Sequence, residues 1–184
     1  MEVSMTKVLV TYASKHHATA EIADVIGKVL RRFDGLQVDV KDAETIKNIA
    51  PYEVIVVGSA VYAGHWQPTA VNFLKQNIEA LAEKFVWVFS SGPTGEGDPK
   101  ALMKGWEFPE GLRPLIEQIK PQDVTVFHGK LDPDSLNVFE RFVVKGIKAP
   151  LGDYRDWEAI RDWALAIGHA LVPGHEEPLS LQPE

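Results

Sequence analysis

Val54-Ile55-Val56-Val57-Gly58-Ser59-Ala60-Val61-Tyr62-Ala63-Gly64-His65-Trp66 is the stretch that decides the fold. Its first four residues form an unbroken apolar run rich in β-branched side chains. A strand with one wet face alternates apolar and polar residues. A strand covered on both faces does not, so 54–58 reads as a central parallel strand. The small residues that follow read as a turn leaving the strand's C-terminal edge.

Working outward, the same signature recurs at Lys7-Val8-Leu9-Val10-Thr11-Tyr12, at Phe85-Val86-Trp87-Val88-Phe89 and at Val124-Thr125-Val126-Phe127, while Leu36 to Val40 alternates as a strand on the edge side would. Helical patterning separates these runs. Ile22, Ile26, Val29 and Phe33 share one face from Thr19 to Phe33, which Gly35 ends. Pro68 starts a second helix carrying Val71, Phe73, Leu74, Ile78 and Leu81. Gly111 to Ile119 is a short helix with Pro114 in its first turn, and Asp156 to Leu171 is the last. Ser91 to Gly105, rich in Gly and Pro, reads as a loop. Five strands alternating with helices predict an α/β fold: a doubly wound five-stranded parallel sheet with helices on both faces.

Composition narrows the function. The 184 residues carry 19 Lys and Arg against 26 Asp and Glu, a net charge of −7, which disfavours nucleic acid as a partner. There is no Cys, which removes disulfides, thiolate nucleophiles and Cys-bound metal. No apolar run approaches the roughly 20 residues of a membrane span. Met1-Glu2-Val3-Ser4-Met5 lacks the basic and apolar regions of a signal peptide, so a cytoplasmic protein is expected. The six histidines show no zinc-ligand spacing and no HExxH, so no metal site is expected; GxSxG, GxGxxG and Walker A motifs are also missing. Tyr12-Ala13-Ser14 and Gly58-Ser59 lack the acidic residues a phosphoacceptor domain needs after its first and third strands.

Ligands of an open parallel sheet lie beyond the C-terminal strand edges, so the turns after strands one, three and four are the places to look. Ser14-Lys15-His16-His17-Ala18-Thr19 opens directly into a helix, whose free amides and dipole suit a phosphate. Ser14 and Thr19 add hydroxyl donors and Lys15 adds charge; the same residues also fit a helix cap with no ligand. In the second turn Gly58 to Trp66 offers small residues for a flat ligand to approach and two aromatics, Tyr62 and Trp66, either to stack on it or to pack on neighbouring helices. The third, Ser90-Ser91-Gly92-Pro93-Thr94-Gly95-Glu96-Gly97-Asp98, can wrap a ligand edge or simply cross the surface. Farther on, Leu136 to Lys148 is apolar along one side and basic at Arg141, Lys145 and Lys148. It reads either as a helix packed on the body or as a segment that meets a partner or a membrane surface.

The loop Ser14–Thr19, the segment Val57–Trp66, and the stretches Phe127-His128-Gly129-Lys130-Leu131 and Gly152-Asp153-Tyr154-Arg155-Asp156-Trp157 resemble the flavodoxin-domain proteins. They look most like the branch that holds the menaquinone-dependent protoporphyrinogen oxidase, over about Lys7 to Leu171. The resemblance implies a flavodoxin-like strand order 2-1-3-4-5 and FMN at the sheet edge. It implies that Ser14, Lys15, His16, His17, Ala18 and Thr19 surround the phosphate. Ser59, Ala60, Val61, Tyr62, Ala63 and Gly64 would follow one flavin edge, and Ser91, Gly92, Pro93, Thr94 and Gly95 the other side of the ring. His17 stands where the family commonly has Gly, a position suited to positive φ. Either the loop geometry differs or the imidazole itself meets the phosphate. One domain over 1–172 is expected, ahead of a flexible, Pro- and Glu-rich tail at 173–184, and the resemblance implies an inserted segment at 131–153 beside the flavin, one that meets a quinone, a porphyrinogen carboxylate or a membrane surface. The implied activity is an FMN-dependent oxidoreductase, with protoporphyrinogen IX as substrate and a quinone as acceptor. A flavodoxin-type electron carrier serving a redox partner protein is the alternative, and a flavin-free binding domain a third. No catalytic side chain is assigned, and any membrane contact is expected to be peripheral, at the inner face.

Overall fold

A computed structural model describes residues 5–174. In chain order the elements are β1 (Thr6–Ala13), α1 (Ala18–Leu30), β2 (Leu36–Asp42), β3 (Val54–Tyr62), β4 (His65–Trp66), α2 (Pro68–Gln76), α3 (Ile78–Ala82), β5 (Phe85–Ser91), α4 (Pro99–Leu102), α5 (Arg113–Ile119), β6 (Asp123–Phe127), β7 (Lys130–Leu131), α6 (Val138–Ile147), β8 (Gly152–Asp153) and α7 (Trp157–Leu171). The long strands are parallel in the order β2-β1-β3-β5-β6. Counting those strands alone, this is the expected order 2-1-3-4-5, with β2 at one edge. The predicted tail at 173–184 lies outside the described residues beyond Gly174.

The unbroken apolar runs follow from the two-residue period of a strand. Val8, Val10, Val54 and Val56 point to the side where α1 and α7 bury Ile22, Ile26, Leu30, Ile160 and Ile167. Leu9, Ile55, Val57 and Val88 point to the other side, against Phe73, Leu74, Leu81, Ile116 and Ile119. Both faces are dry, so the central strands Val8–Val10, Val54–Val57 and Val86–Phe89 are apolar in both registers.

Several predicted boundaries move, each for a local reason. The helix expected over Thr19–Phe33 ends at Leu30, yet Phe33 stays in the core. Its ring packs where a Cβ on Gly168 would stand. The helix starting at Pro68 breaks at Asn77, whose φ of −115° leaves the helical range and whose Nδ2 donates to the Phe73 carbonyl at 2.8 Å. The Ser91–Gly105 loop holds a turn of helix, α4, capped by Asp98, whose Oδ1 accepts from the Lys100 amide at 3.0 Å. The largest correction concerns the deciding stretch itself. Strand β3 does not stop at Gly58 but runs to Tyr62, because Ser59 and Ala60 stay in register with Ser90 and Ser91. Beyond it, Ala63 (φ 50°) and Gly64 (φ 78°) make a two-residue turn, and β4 folds back antiparallel onto β3.

Residues 130–153 are bounded by a small ribbon in which β7 pairs antiparallel with β8, and α6 lies between its two strands in the chain. Among the described residues, no helix is long and apolar enough to cross a membrane. Nor do any three His, Cys, Asp or Glu side chains gather as a metal site.

Candidate cofactor-binding cleft

Strand β1 ends at Ala13 and the chain turns through Ser14–His17 into α1. His17 takes a left-handed conformation, φ 63° and ψ −11°, and its side chain caps nothing. The first intrahelical bond runs from the Glu21 amide to the His17 carbonyl at 3.0 Å. The amides before Glu21 have no intrahelical acceptor and point out of the helix start. Thr19 is buried beside them, at 1 % exposure. A cleft opens here, lined by Ser14, Lys15, His16, Ala18 and Thr19 from this turn. Ala60, Val61, Tyr62 and Ala63 line it from the end of β3 and its turn, and Ser91, Gly92 and Thr94 from the end of β5. Three chain segments separated by about 30 to 45 residues thus converge on one C-terminal sheet edge.

Five of the residues expected here do not line the cleft. His17 holds a left-handed backbone turn while its imidazole is exposed, so the imidazole makes no contact with the cleft. Ser59 is fully buried, and its hydroxyl accepts from the Gln67 amide at 2.9 Å and donates to the Ala60 carbonyl at 3.0 Å. Gly64 forms the outer corner of the β3–β4 turn, with nothing within 4 Å of where a Cβ would stand. Pro93 contributes its carbonyl to the Gly129 amide at 2.9 Å, and Gly95 is buried at φ 118° near Pro150. Of the two candidate aromatics only Tyr62 reaches the cleft. Trp66 is 3 % exposed in the core, and its indole donates to Ser90 Oγ at 2.9 Å.

The second correction is electrostatic. Lys15 was expected to add charge for an anion. Instead its ammonium lies 2.5 Å from Glu140 Oε1 and 3.9 Å from the centre of the Tyr62 ring. Glu140 sits in the first turn of α6 and is buried, its side chain 3 % exposed. It accepts from the Asn137 amide at 2.9 Å, and Asn137 Oδ1 accepts from the Glu140 amide at 2.9 Å, a reciprocal cap. The Lys15 ammonium, and after it the Asn137 amide, hold the Glu140 carboxyl below the usual carboxylate range. His16 Nε2 lies 3.4 Å from the same oxygen. Lys15 and Glu140 cancel as charges, so what remains for an anion at the loop is the helix amides and hydroxyls.

A further wall comes from two stretches that the sequence marks out but that are not among the expected cofactor contacts. Gly129, Lys130 and Leu131 follow β6, and Val143, Val144, Ile147 and Ala149 descend from α6 and its C-terminal side. A signal for both was present. The strand at 124–127 also has a C-terminal edge, and an amphipathic helix next to that edge must put its apolar side somewhere. Arg155 ties this wall down. Its buried guanidinium meets Asp153 at 2.5 Å and Glu21 at 2.5 Å and lies 4.5 Å from the Trp157 ring centre, joining β8 to the first turn of α1. Arg155 holds the Asp153 carboxyl low as well.

A family model described as "Flavodoxin domain" matches residues 9–158. The chain belongs to the flavodoxin-domain family. Solved flavodoxins overlay it over nearly their full length: one from the domain Archaea at a TM-score of 0.61 and 14 % identity, over 90 % of this chain and 99 % of that one. Flavodoxin 2 from Bacillus cereus overlays at 0.58 and 21 %, again over 90 % and 99 %. These likenesses concern the fold. A curated relative, protoporphyrinogen IX dehydrogenase [quinone] from Leishmania major, is 27 % identical over 172 residues, covering 86 % of this chain and 73 % of that protein.

FMN is the cofactor of a flavodoxin domain, and the cleft fits it. Ser14 Oγ and the Tyr62 hydroxyl are buried without a hydrogen-bond partner in the protein, and both line the cleft. Buried hydroxyls without partners are uncommon unless a ligand supplies them. The phosphate would meet Ser14, Thr19 and the α1 amides, and the ring would lie among Ala60–Ala63 and Ser91–Thr94.

Proposed function

We propose that this flavodoxin-domain protein is an FMN-dependent oxidoreductase that dehydrogenates protoporphyrinogen IX and passes the electrons to a quinone. Bound FMN would supply the acceptor chemistry, taking a hydride or single electrons. The chain's own residues bind, orient and exclude water. The single observation behind this reading is the extra wall. An electron carrier works with an accessible flavin edge, whereas here Val143, Val144 and Ile147 of α6 stand over the cleft and make an apolar recess. A recess of that kind suits a bulky apolar substrate. The name of the Leishmania major relative points the same way. The setting implied is the cytoplasm, at the inner face of a membrane that carries the quinone.

The test begins with the absorption spectrum and flavin content of the purified protein, followed by anaerobic mixing with protoporphyrinogen and then a menaquinone. Bleaching by the porphyrinogen and recovery with the quinone are expected. A yellow protein that exchanges electrons only with redox proteins is a carrier, and a colourless one that takes up no FMN sinks the reading. Removing the Ser14 hydroxyl (S14A) should weaken FMN binding by about tenfold or more, the effect of losing one hydrogen bond to a charged group.

A further inference from the structure

The outward side of α6 has no function in the cleft. At 100° per residue, Glu140, Val143, Val144 and Ile147 share the inner face of the helix, and Val138, Arg141, Phe142 and Lys145 share the opposite one, with Phe139 on the flank. A helix lying on the surface of a water-soluble body should be polar there. Instead Val138 and Phe139 are each 74 % exposed and Phe142 73 %. With Ile147 and Leu151 they make five of the eight large apolar side chains exposed among the described residues, gathered within fourteen positions of the chain. The charges interleaved with them are Arg141, Lys145 and Lys148. Between Leu136 and Leu151 the one acidic residue, Glu140, is buried against Lys15. The patch therefore carries three exposed positive charges in a chain whose net charge is −7.

We infer that this face of α6 is a docking surface for an anionic lipid bilayer. Three observations select that occupant. Val138, Phe139 and Phe142 project outward and line neither the cleft nor the shallow groove that Arg141, Lys145, Lys148 and Leu151 form beside Asp134, which fits insertion at the headgroup boundary. Arg141 and Lys145 flank Phe142, so their long stems can lie along the acyl region while their charges reach lipid phosphates. A second copy of the chain, meeting this patch with its own, would bring like charges together. The reciprocal cap at Asn137 and the Glu140–Lys15 pair fix the helix on the body, so the surface is preformed. Ile147 belongs to both sides, lining the cleft while 66 % exposed, so the patch reaches the cleft rim. The inference requires neither the porphyrinogen nor the quinone.

Co-sedimentation of the full-length FMN-loaded protein with vesicles tests it: phosphatidylcholine alone against phosphatidylcholine with one third phosphatidylglycerol. Binding to the anionic vesicles, lost in high salt, is expected. Arg141→Gln with Lys145→Gln should lower the partition coefficient about thirtyfold, from the usual weight of each cation near an anionic surface. Phe139→Ser with Phe142→Ser should lower it at least tenfold. All four side chains are exposed and none lines the cleft, so circular dichroism and bound FMN should be unchanged. Equal sedimentation with both vesicle types, or binding that survives both double variants, overturns the inference. So does a concentration-dependent dimer that the Phe variants abolish in the absence of any vesicle binding. Lipid binding without turnover, or turnover without lipid binding, separates this inference from the proposed activity.

Discussion

The centre of the sheet and the segment around α6, residues 130–153, are held in different ways. At the centre, Leu9, Ile55, Val57, Val88 and Phe89 are all at 0 % exposure, and specificity comes from dry packing on two faces. In the segment around α6, few apolar side chains are buried, chiefly Leu136 and Val144. Its position depends on directional polar contacts: Glu140 on Lys15, the cap at Asn137, and Arg155 on Asp153 and Glu21. Apolar burial contributes most of a domain's stability and is cooperative across it. A polar latch adds little globally but decides where one element sits. The segment should therefore open independently of the sheet.

The sharpest way to break this contrast is a pair of identical substitutions. Phe89 packs over Gly58, where a Cβ would collide with its ring, and near Phe127 and Trp163 at centroid distances of 5.8 Å and 6.0 Å. Phe89→Ala should cost about 3–5 kcal/mol of unfolding free energy in urea titration. Phe142→Ala removes the same atoms from an exposed site and should change it by no more than about 0.5 kcal/mol. Comparable losses would mean that α6 is part of the cooperative core.

The latch comes next. Glu140→Ala removes the partner of Lys15 and half of the reciprocal cap at once. The expected loss is about 1–2 kcal/mol, the scale of a helix cap, confined to α6. Amide exchange over Val138–Ile147 should speed up tenfold or more while the amides of β3 and β5 stay protected. A uniform acceleration across both regions would contradict a locally opening segment.

How much could be read beforehand follows the same division. Burial leaves a periodic trace, so the strands and the convergence of Ser14, Ala60 and Ser91 on one edge were legible, whereas the strand order came from the family resemblance. Hydrogen bonds leave none. Nothing in the spacing of Lys15 and Glu140, 125 positions apart, says that one holds the other, and Lys15 was accordingly assigned to an anion. Ser59 was misjudged for a related reason. A small polar residue after an apolar run suggests a turn, and only the register with Ser90 shows that the strand continues and encloses the hydroxyl.

Acid should reproduce the effect of Glu140→Ala in the native protein. The Glu140 carboxyl is held below its ordinary value by Lys15 and the Asn137 amide. A carboxyl depressed on folding contributes its full stabilisation above the unfolded-state pKa of roughly 4.3 and loses it as pH falls through the folded value. Protection of α6, corrected for intrinsic exchange, should thus be level from pH 7 to 5 and fall below about pH 4. In Glu140→Gln the step should vanish. A fall between pH 7 and 5 would contradict the assignment of the latch to this carboxyl.

The smallest effect probes the boundary between the two regions. His17 holds φ 63° at the start of α1, a left-handed conformation that costs a β-carbon-bearing residue on the order of 1 kcal/mol. Its imidazole is exposed, caps nothing and does not line the cleft, so little opposes that cost. Replacing His17 with Gly relieves the clash but gives the unfolded chain more freedom, and these terms partly cancel. The net expectation is stabilisation of about 0.5–1 kcal/mol, read as a raised urea midpoint at unchanged slope. FMN affinity should hold or improve, because the amides that follow keep their direction. If His17→Gly instead weakens FMN binding severalfold while stabilising the fold, the imidazole swings onto the phosphate once the cofactor is bound. The strain at this residue would then be retained for the ligand rather than tolerated by the core.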